Sequence, residues 1–173
     1  AGTGVDNIDV KHATSKNILV VNTPGGNTIS TGELAFSHLL ALARKIPQAT
    51  ASLKKGAWNR SEYTGSELST KTLGIIGCGQ IGKQVAVRAK AFGMKVIGYD
   101  PVMSPSALDD KSGIQLVELD ELFAQCDFIT LHTPLTQQTK YLINTDTIKQ
   151  CKQGVKIINC ARGGIINEDD LLE

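Results

Sequence analysis

No stretch of this sequence stays apolar for longer than a β-strand needs, so nothing in it reads as a membrane-spanning helix. Cysteine is sparse. Cys78, Cys126, Cys151 and Cys160 are widely spaced and form no C-x-x-C pair, which argues for reduced thiols rather than a disulfide framework. Together with three histidines they make no metal-ligand spacing, so no metal is expected. Charge of one sign is also lacking: 18 Lys and Arg face 17 Asp and Glu, a formal net of +1. No basic stripe speaks for nucleic acid and no acidic tail for a basic partner. The opening AGTGVDNID has neither the basic n-region nor the apolar h-region of a secretory signal. The expectation is a soluble, cytoplasmic chain.

What is present is ordinary in bulk, 41% hydrophobic and 20% charged, and 173 residues suffice for a domain with a substantial core. Short apolar runs alternate with helical stretches, the signature of βαβ units and a parallel sheet. A helix is expected over 8–15 and a strand over 18–21, followed by NTPGGN at 22–27, a breaker-rich joint suited to a hinge. Ser30 with Glu33 reads as a capping box opening a helix to about Lys45, and Pro47 restarts a second helix that stops near Gly56. Residues 58–68 read as irregular. Strands are expected at 73–76, 96–99, 114–117 (weak), 128–131 and 155–159, with helices from Gly82 to about Phe92 and over 119–124. In the doubly wound order they would lie 3-2-1-4-5. Asn167 would cap a last helix, whose Leu171 and Leu172 begin a buried face. The abrupt start and end suggest a Rossmann sheet truncated at its C-terminus, a piece of a longer enzyme.

The densest chemical signal is KTLGIIGCGQIG at 71–82, with Asp100 eighteen residues after Gly82 at the end of KVIGYD. Gly77, Gly79 and Gly82 form G-x-G-x-x-G between a strand and a helix. Gly77 permits the tight turn, Gly79 keeps side-chain atoms away from an approaching pyrophosphate, and Gly82 lets the helix pack on the sheet. Free N–H groups at the helix start face the phosphates. Asp100 would accept the adenosine ribose hydroxyls and repel a 2′-phosphate, favouring NAD over NADP.

Ligands in such sheets lie at the carboxyl ends of the strands. One end gives His132, Thr133 and Pro134, the last two passing beside the adenosine half of a cofactor. Another gives Cys160-Ala161-Arg162-Gly163-Gly164. Arg162 is the only arginine at these ends; its fork could grip a substrate carboxylate and polarise the adjacent carbonyl, the alternative being a surface arginine in a glycine turn. His132 has the right chemistry for an acid–base group but sits on the adenosine side, remote from Arg162. His38 reads as a packed or interface histidine and His12 as solvent-facing. Cys160 lacks an activating base, so its backbone rather than its thiol is expected near the nicotinamide. Cys78 reads as a small buried filler. Trp58, flanked by Lys54, Lys55 and Arg60, suggests either an anion site or, in preference, packing between subunits.

Taken together, NTPGGN, LARKIPQATASLKKGAW, GIIGCGQIG, GYDP, LHTPLTQQT and INCARGGIINEDDLL resemble the D-isomer-specific 2-hydroxyacid dehydrogenases along the entire sequence. The resemblance implies NAD-dependent oxidation of a phosphorylated 2-hydroxy acid, 3-phospho-D-glycerate, at the start of serine synthesis. It implies that Thr3 meets the cofactor or the substrate, that Gln80, Ile81, Asp100, Thr133, Cys160, Ala161 and Arg162 meet the cofactor, and that Arg162 is also the catalytic arginine. It further implies that residues 1–22 end a substrate-binding domain and 23–173 belong to an incomplete NAD-binding domain. A homo-oligomer, dimer or tetramer, would form through the helices after the joint. Gln80 departs from the arginine of many relatives. The family's glutamate and histidine would lie downstream of Glu173, so the isolated chain is expected to be inactive. Alternatives are another member, such as a glyoxylate/hydroxypyruvate reductase or a lactate-type enzyme, and an NAD-sensing transcriptional corepressor. Trp58, away from any strand end, counts against the last.

Overall fold

Three apolar runs of four or five residues form the centre of the molecule: β1 (Thr72–Ile76), β2 (Lys95–Tyr99) and β4 (Phe128–Leu131). A computed structural model describes residues 2–108 and 111–172; Ala1 and Glu173, the outer bounds of the two expected segments, lie outside them. With β3 (Gln115–Leu116) and β5 (Lys156–Asn159) these strands make a five-stranded sheet in the order β3-β2-β1-β4-β5, every pair parallel. This is the expected Rossmann-like order.

Burial on both faces explains why the strands read as continuous apolar runs. Successive side chains alternate across the sheet. Leu73, Ile75, Val96, Phe128 and Ile158 enter one core, and Ile76, Ile97, Ile129 and Leu131 the other. The first core is closed by α2 (Thr28–Arg44) and α4 (Gln80–Ala91). Their buried residues recur at helical spacing: Gly32, Ala35, Phe36, Leu39 and Ala43 in one, Gly82, Val85, Ala86 and Ala89 in the other. Arg88 of α4 pairs with Glu33 of α2 at 3.0 Å, and Phe36 meets Phe92 edge-on with centroids 5.1 Å apart. The second core is covered by α5 (Leu119–Gln125) through Leu122 and Phe123. Truncating a fully buried Ile75 to Ala would cost about 3 kcal/mol. At the amino ends of the strands Asp127 accepts the Thr72 N–H at 2.8 Å and pairs with Lys152 at 3.4 Å. Burial pushes its carboxyl pKa up, but the Thr72 N–H and the nearby lysines outweigh it and hold the pKa low.

Several local expectations need correction. Residues 18–21 form no strand: Ile18, Leu19 and Val21 are exposed, because a β-prone run needs a partner strand and has none among the described residues. The first helix, α1, is Val10–Ser15, two residues later than read, with Asp9 accepting the His12 N–H at 2.9 Å as its cap. The capping box at Ser30 is not made. Helix α2 starts at Thr28, so Ser30 already lies inside its first turn and donates to the Asn27 carbonyl, while Glu33 turns to Arg88. Helix α3 (Ile46–Lys54) carries Pro47 in its first turn, as expected. Unforeseen was α6 (Thr145–Ile148), opened by a reciprocal capping box between Asn144 and Thr147. The final α7 (Glu168–Leu172) shows no buried face, Leu172 being 87% exposed; Asp170 instead ties it to the Thr145 N–H at 2.9 Å. Among the described residues no helix is long and apolar enough to cross a membrane.

Candidate functional site at the strand ends

The chain leaves β1 through Gly77, whose φ of +95° few L-residues tolerate. A Cβ there would stand 2.7 Å from the His132 carbonyl oxygen, so the turn also demands a bare backbone where β1 and β4 diverge. The Gly77 N–H donates to Tyr99 at 2.9 Å and the His132 N–H to Ile76 at 2.8 Å, extending the ladder into the turn. Gly82 packs directly on the Gly77 carbonyl, leaving no room for a side chain. Gly79 is the N-cap of α4 and has open space where a Cβ would be. A glycine cap offers no side-chain oxygen, so the first-turn N–H groups of α4 are left for an outside acceptor, with the helix dipole favouring an anion.

Asp100 stands at the end of β2 and is tied to this turn. One carboxylate oxygen accepts the Cys78 N–H at 2.9 Å and the other the Val102 N–H at 3.1 Å. Each oxygen keeps a second lone pair for a further donor. A cleft of about 630 Å³ opens beside it, lined by Gly77, Gly79, Asp100, His132, Thr133 and Pro134. Its far wall, missed in the sequence, is the loop with Thr136, Gln138 and Thr139. That loop is folded on itself by Thr139, which donates to the Pro134 carbonyl at 2.6 Å and accepts the Thr136 N–H at 2.7 Å. Its only signal was the paired threonines of T-Q-Q-T, a common hydroxyl turn.

Thr133 has the one buried side-chain oxygen without a hydrogen-bond partner among the described residues. Its residue is 9% exposed and lines the cleft. His132 is explained differently. Its Nε2 lies 3.0 Å from the Thr130 hydroxyl, and burial lowers its pKa to about 4, so the ring is neutral near pH 7. It is a wall of this cleft, but the expected remoteness from Arg162 does not follow from the sheet: β4, which His132 ends, is the direct neighbour of β5, which leads to Arg162.

Arg162 follows β5, two strands from β1. The Asn159 side chain accepts the Ala161 N–H at 3.0 Å and donates to the Arg162 carbonyl at 2.8 Å, setting the turn. The Arg162 side chain reaches Asp6, with Nε donating at 2.7 Å. Thr3 lies on the same segment as Asp6, its hydroxyl 3.2 Å from both the Thr23 carbonyl and the Asn27 side-chain oxygen. Gln80 is exposed at the start of α4, and Ile81 is half-buried. The expected residues thus fall into a glycine–aspartate half and an arginine half along one sheet edge. Cys160 is half-buried and burial raises its pKa, which disfavours a thiolate; Cys78 is fully buried and burial, with Asp100 nearby and Lys83 opposing, pushes it to about 12. His12 is exposed. His38 is exposed and lines a separate hollow with Leu42 and Cys160, and Trp58 is 75% exposed on the surface.

A family model described as the NAD-binding domain of D-isomer-specific 2-hydroxyacid dehydrogenases matches residues 36–173. The chain belongs to this family. As a member of the 2-hydroxyacid dehydrogenases it is 55% identical over 172 residues to D-3-phosphoglycerate dehydrogenase of Rattus norvegicus, covering 99% of this chain and 32% of that protein. It is 53% identical to the enzyme of the same name from Methanocaldococcus jannaschii, covering all of this chain and 33% of that protein. It spans, then, about a third of the length of these curated relatives. A crystal structure of Aquifex aeolicus D-lactate dehydrogenase complexed with NAD and lactic acid superposes with a TM-score of 0.86 at 37% identity, covering 98% of this chain and 51% of that one. NAD is the cofactor of this domain family, and the cleft fits it: an acceptor pair on Asp100, a Thr133 hydroxyl unpartnered among the described residues, open space at Gly79 and a helix start with no side-chain cap.

Proposed function

We propose that this chain is the cofactor-holding part of a dehydrogenase whose whole length oxidises 3-phospho-D-glycerate to 3-phosphohydroxypyruvate with NAD, the first step of L-serine synthesis. The observation that carries the reading is the placement of Arg162 at the end of β5, on the same sheet edge as the glycine turn and Asp100. The choice among 2-hydroxy acids is supported by the relatives at 51–55% identity.

In this reading Asp100 holds the adenosine ribose, Thr133 and Pro134 flank the adenosine half, and Gly79, Gln80 and Ile81 present backbone N–H groups to the pyrophosphate. Gln80 contributes no charge there, so the backbone and helix dipole carry the phosphate contact. Thr3, Cys160 and Ala161 border the nicotinamide end. NAD, when held there, would supply the acceptor for the hydride leaving C2. Arg162 grips the substrate carboxylate through paired N–H groups and stabilises charge on the C2 oxygen as it becomes a carbonyl. The hydroxyl proton leaves to a histidine, oriented by a glutamate, that the family places outside this chain. Residues 1–22 end a substrate-binding domain, and 23–173 form the NAD-binding domain, jointed at NTPGGN. The exposed Leu42, Ile46, Leu53 and Trp58 on and after α2 and α3 support a homo-oligomer. We place the enzyme in the cytoplasm.

The test is NADH formation by the whole protein. Activity with 3-phospho-D-glycerate should exceed that with D-lactate or D-glycerate; a preference for either unphosphorylated acid overturns the substrate assignment. The isolated chain should bind NAD without turnover, and measurable turnover would overturn the division of the site.

A further inference from the structure

Arg162 does not hang free at the end of β5. Its Nε donates to Asp6 at 2.7 Å, and Nη1 donates to the Ala161 carbonyl at 2.8 Å. The third terminus, Nη2, fills the space where a side chain on Gly4 would be. The segment holding Gly4 and Asp6 is itself anchored: the Thr23 N–H donates to Gly2 at 2.9 Å, Asn22 donates to the Thr3 carbonyl at 3.0 Å, and the Ile8 N–H closes a turn on Val5 at 3.0 Å. Two residues 156 apart in sequence are thus brought together by the joint.

We propose that Asp6 is a positioning residue for Arg162, holding the guanidinium by its Nε edge so that the Nη edge is presented to the substrate's carboxylate and C2 oxygen. The inference rests on the dehydrogenase reading above and adds a residue to it. A guanidinium has five N–H groups in a rigid plane. Two are committed among the described residues, and the three left are all on Nη1 and Nη2. A carboxylate serving as a latch would occupy the paired Nη edge and compete with substrate. Asp6 takes the Nε edge instead, which fixes the plane and leaves three Nη N–H groups uncommitted among the described residues. Both side chains are substantially exposed, at 43% and 63%, so the pair matters for orientation rather than for stability. Gly4 completes the arrangement, since a Cβ there would displace Nη2 from its present position.

The test uses the whole protein with 3-phospho-D-glycerate and NAD. Asp6→Ala should raise the substrate KM and lower kcat, each about tenfold, because a loosened guanidinium samples unproductive orientations. The Kd for NAD should stay within about twofold of wild type. Asp6→Asn retains an acceptor for the Nε–H and should restore most of kcat. Gly4→Ala leaves Asp6 in place but displaces Nη2; it should lose kcat/KM with NAD binding intact, and it decides the matter if Asp6→Ala fails to fold. A lower KM in Asp6→Ala would mean a latch and overturn the proposal, as would unchanged kinetics or an equal loss of NAD binding. A wild-type protein inactive on every 2-hydroxy acid would instead sink the dehydrogenase reading, a distinct failure.

Discussion

The carboxylate of Asp100 accepts the backbone N–H of Cys78 at 2.9 Å, which ties the acid at the end of β2 to the centre of the glycine turn after β1. The residue read as selecting the cofactor also shapes the loop proposed to receive its phosphates. The two roles separate by substitution. Asp100→Asn keeps an acceptor for Cys78 but drops the charge. It should leave the melting temperature nearly unchanged while relaxing discrimination against NADP. Asp100→Ala should also lose about 1 kcal/mol of stability with the hydrogen bond and weaken NAD about tenfold, or about 1.4 kcal/mol. Titration with both cofactors checks this; an unaltered NAD/NADP ratio in both variants removes Asp100 from ribose recognition.

Two glycines of the same turn should fail in opposite ways. Gly82 abuts the Gly77 carbonyl, so Gly82→Ala must push α4 off the sheet, at about 2 kcal/mol or more. Gly79 has φ −68° and open space in the Cβ direction, so Gly79→Ala should leave the fold intact. It should still impair NAD binding, because the added methyl would stand in the open space proposed for the pyrophosphate. Thermal melts paired with NAD titrations decide this. Loss of stability in Gly79→Ala, or full NAD affinity, contradicts the assignment.

That turn was legible because Gly77 and Gly82 answer local steric demands within twelve consecutive residues, and the β1-α4-β2 order follows from it. The sheet order was legible too, since β1, β2 and β4 are buried on both faces and announce themselves as apolar runs. The run at 18–21 has the same composition but no neighbouring strand, and composition cannot report a missing neighbour. Ser30 with Glu33 made a valid cap pattern, overruled when α2 began two residues earlier and Arg88 offered Glu33 a better partner. Asn144 and Thr147 form a cap that was readable in principle but sits in a polar stretch with no helical period. The contact of Asp6 with Arg162 depends on how the joint folds back, and no window of sequence contains it.

His132 carries a pH signature. Its pKa falls from an ordinary 6.5 to about 4 on folding, because burial disfavours the charged ring. Between those values the unfolded chain binds the extra proton and the folded one does not, so stability rises with pH. The contribution is complete above about 6.5 and is lost as pH falls toward 4, amounting to as much as about 3 kcal/mol. Comparing wild type with His132→Gln in denaturant titrations between these limits checks it. Wild type should lose stability relative to the variant on acidification; parallel curves would show that the ring titrates normally in the fold.

Arg162→Lys tests whether charge alone suffices at the end of β5. Lysine keeps the positive charge but is a point donor. It cannot donate to Asp6 through one edge and present two parallel N–H groups through another. In the whole protein the substitution should lower kcat/KM by about a hundredfold or more, equivalent to about 3 kcal/mol of transition-state stabilisation. Arg162→Ala should lose more, and neither should change NAD affinity appreciably, because the glycine turn, Asp100 and Thr133 line a cleft whose walls do not include Arg162. Steady-state kinetics with NAD titration separates the outcomes. Loss of NAD binding with kcat preserved at saturating cofactor would move Arg162 from the substrate to the cofactor, and the carboxylate would need another partner.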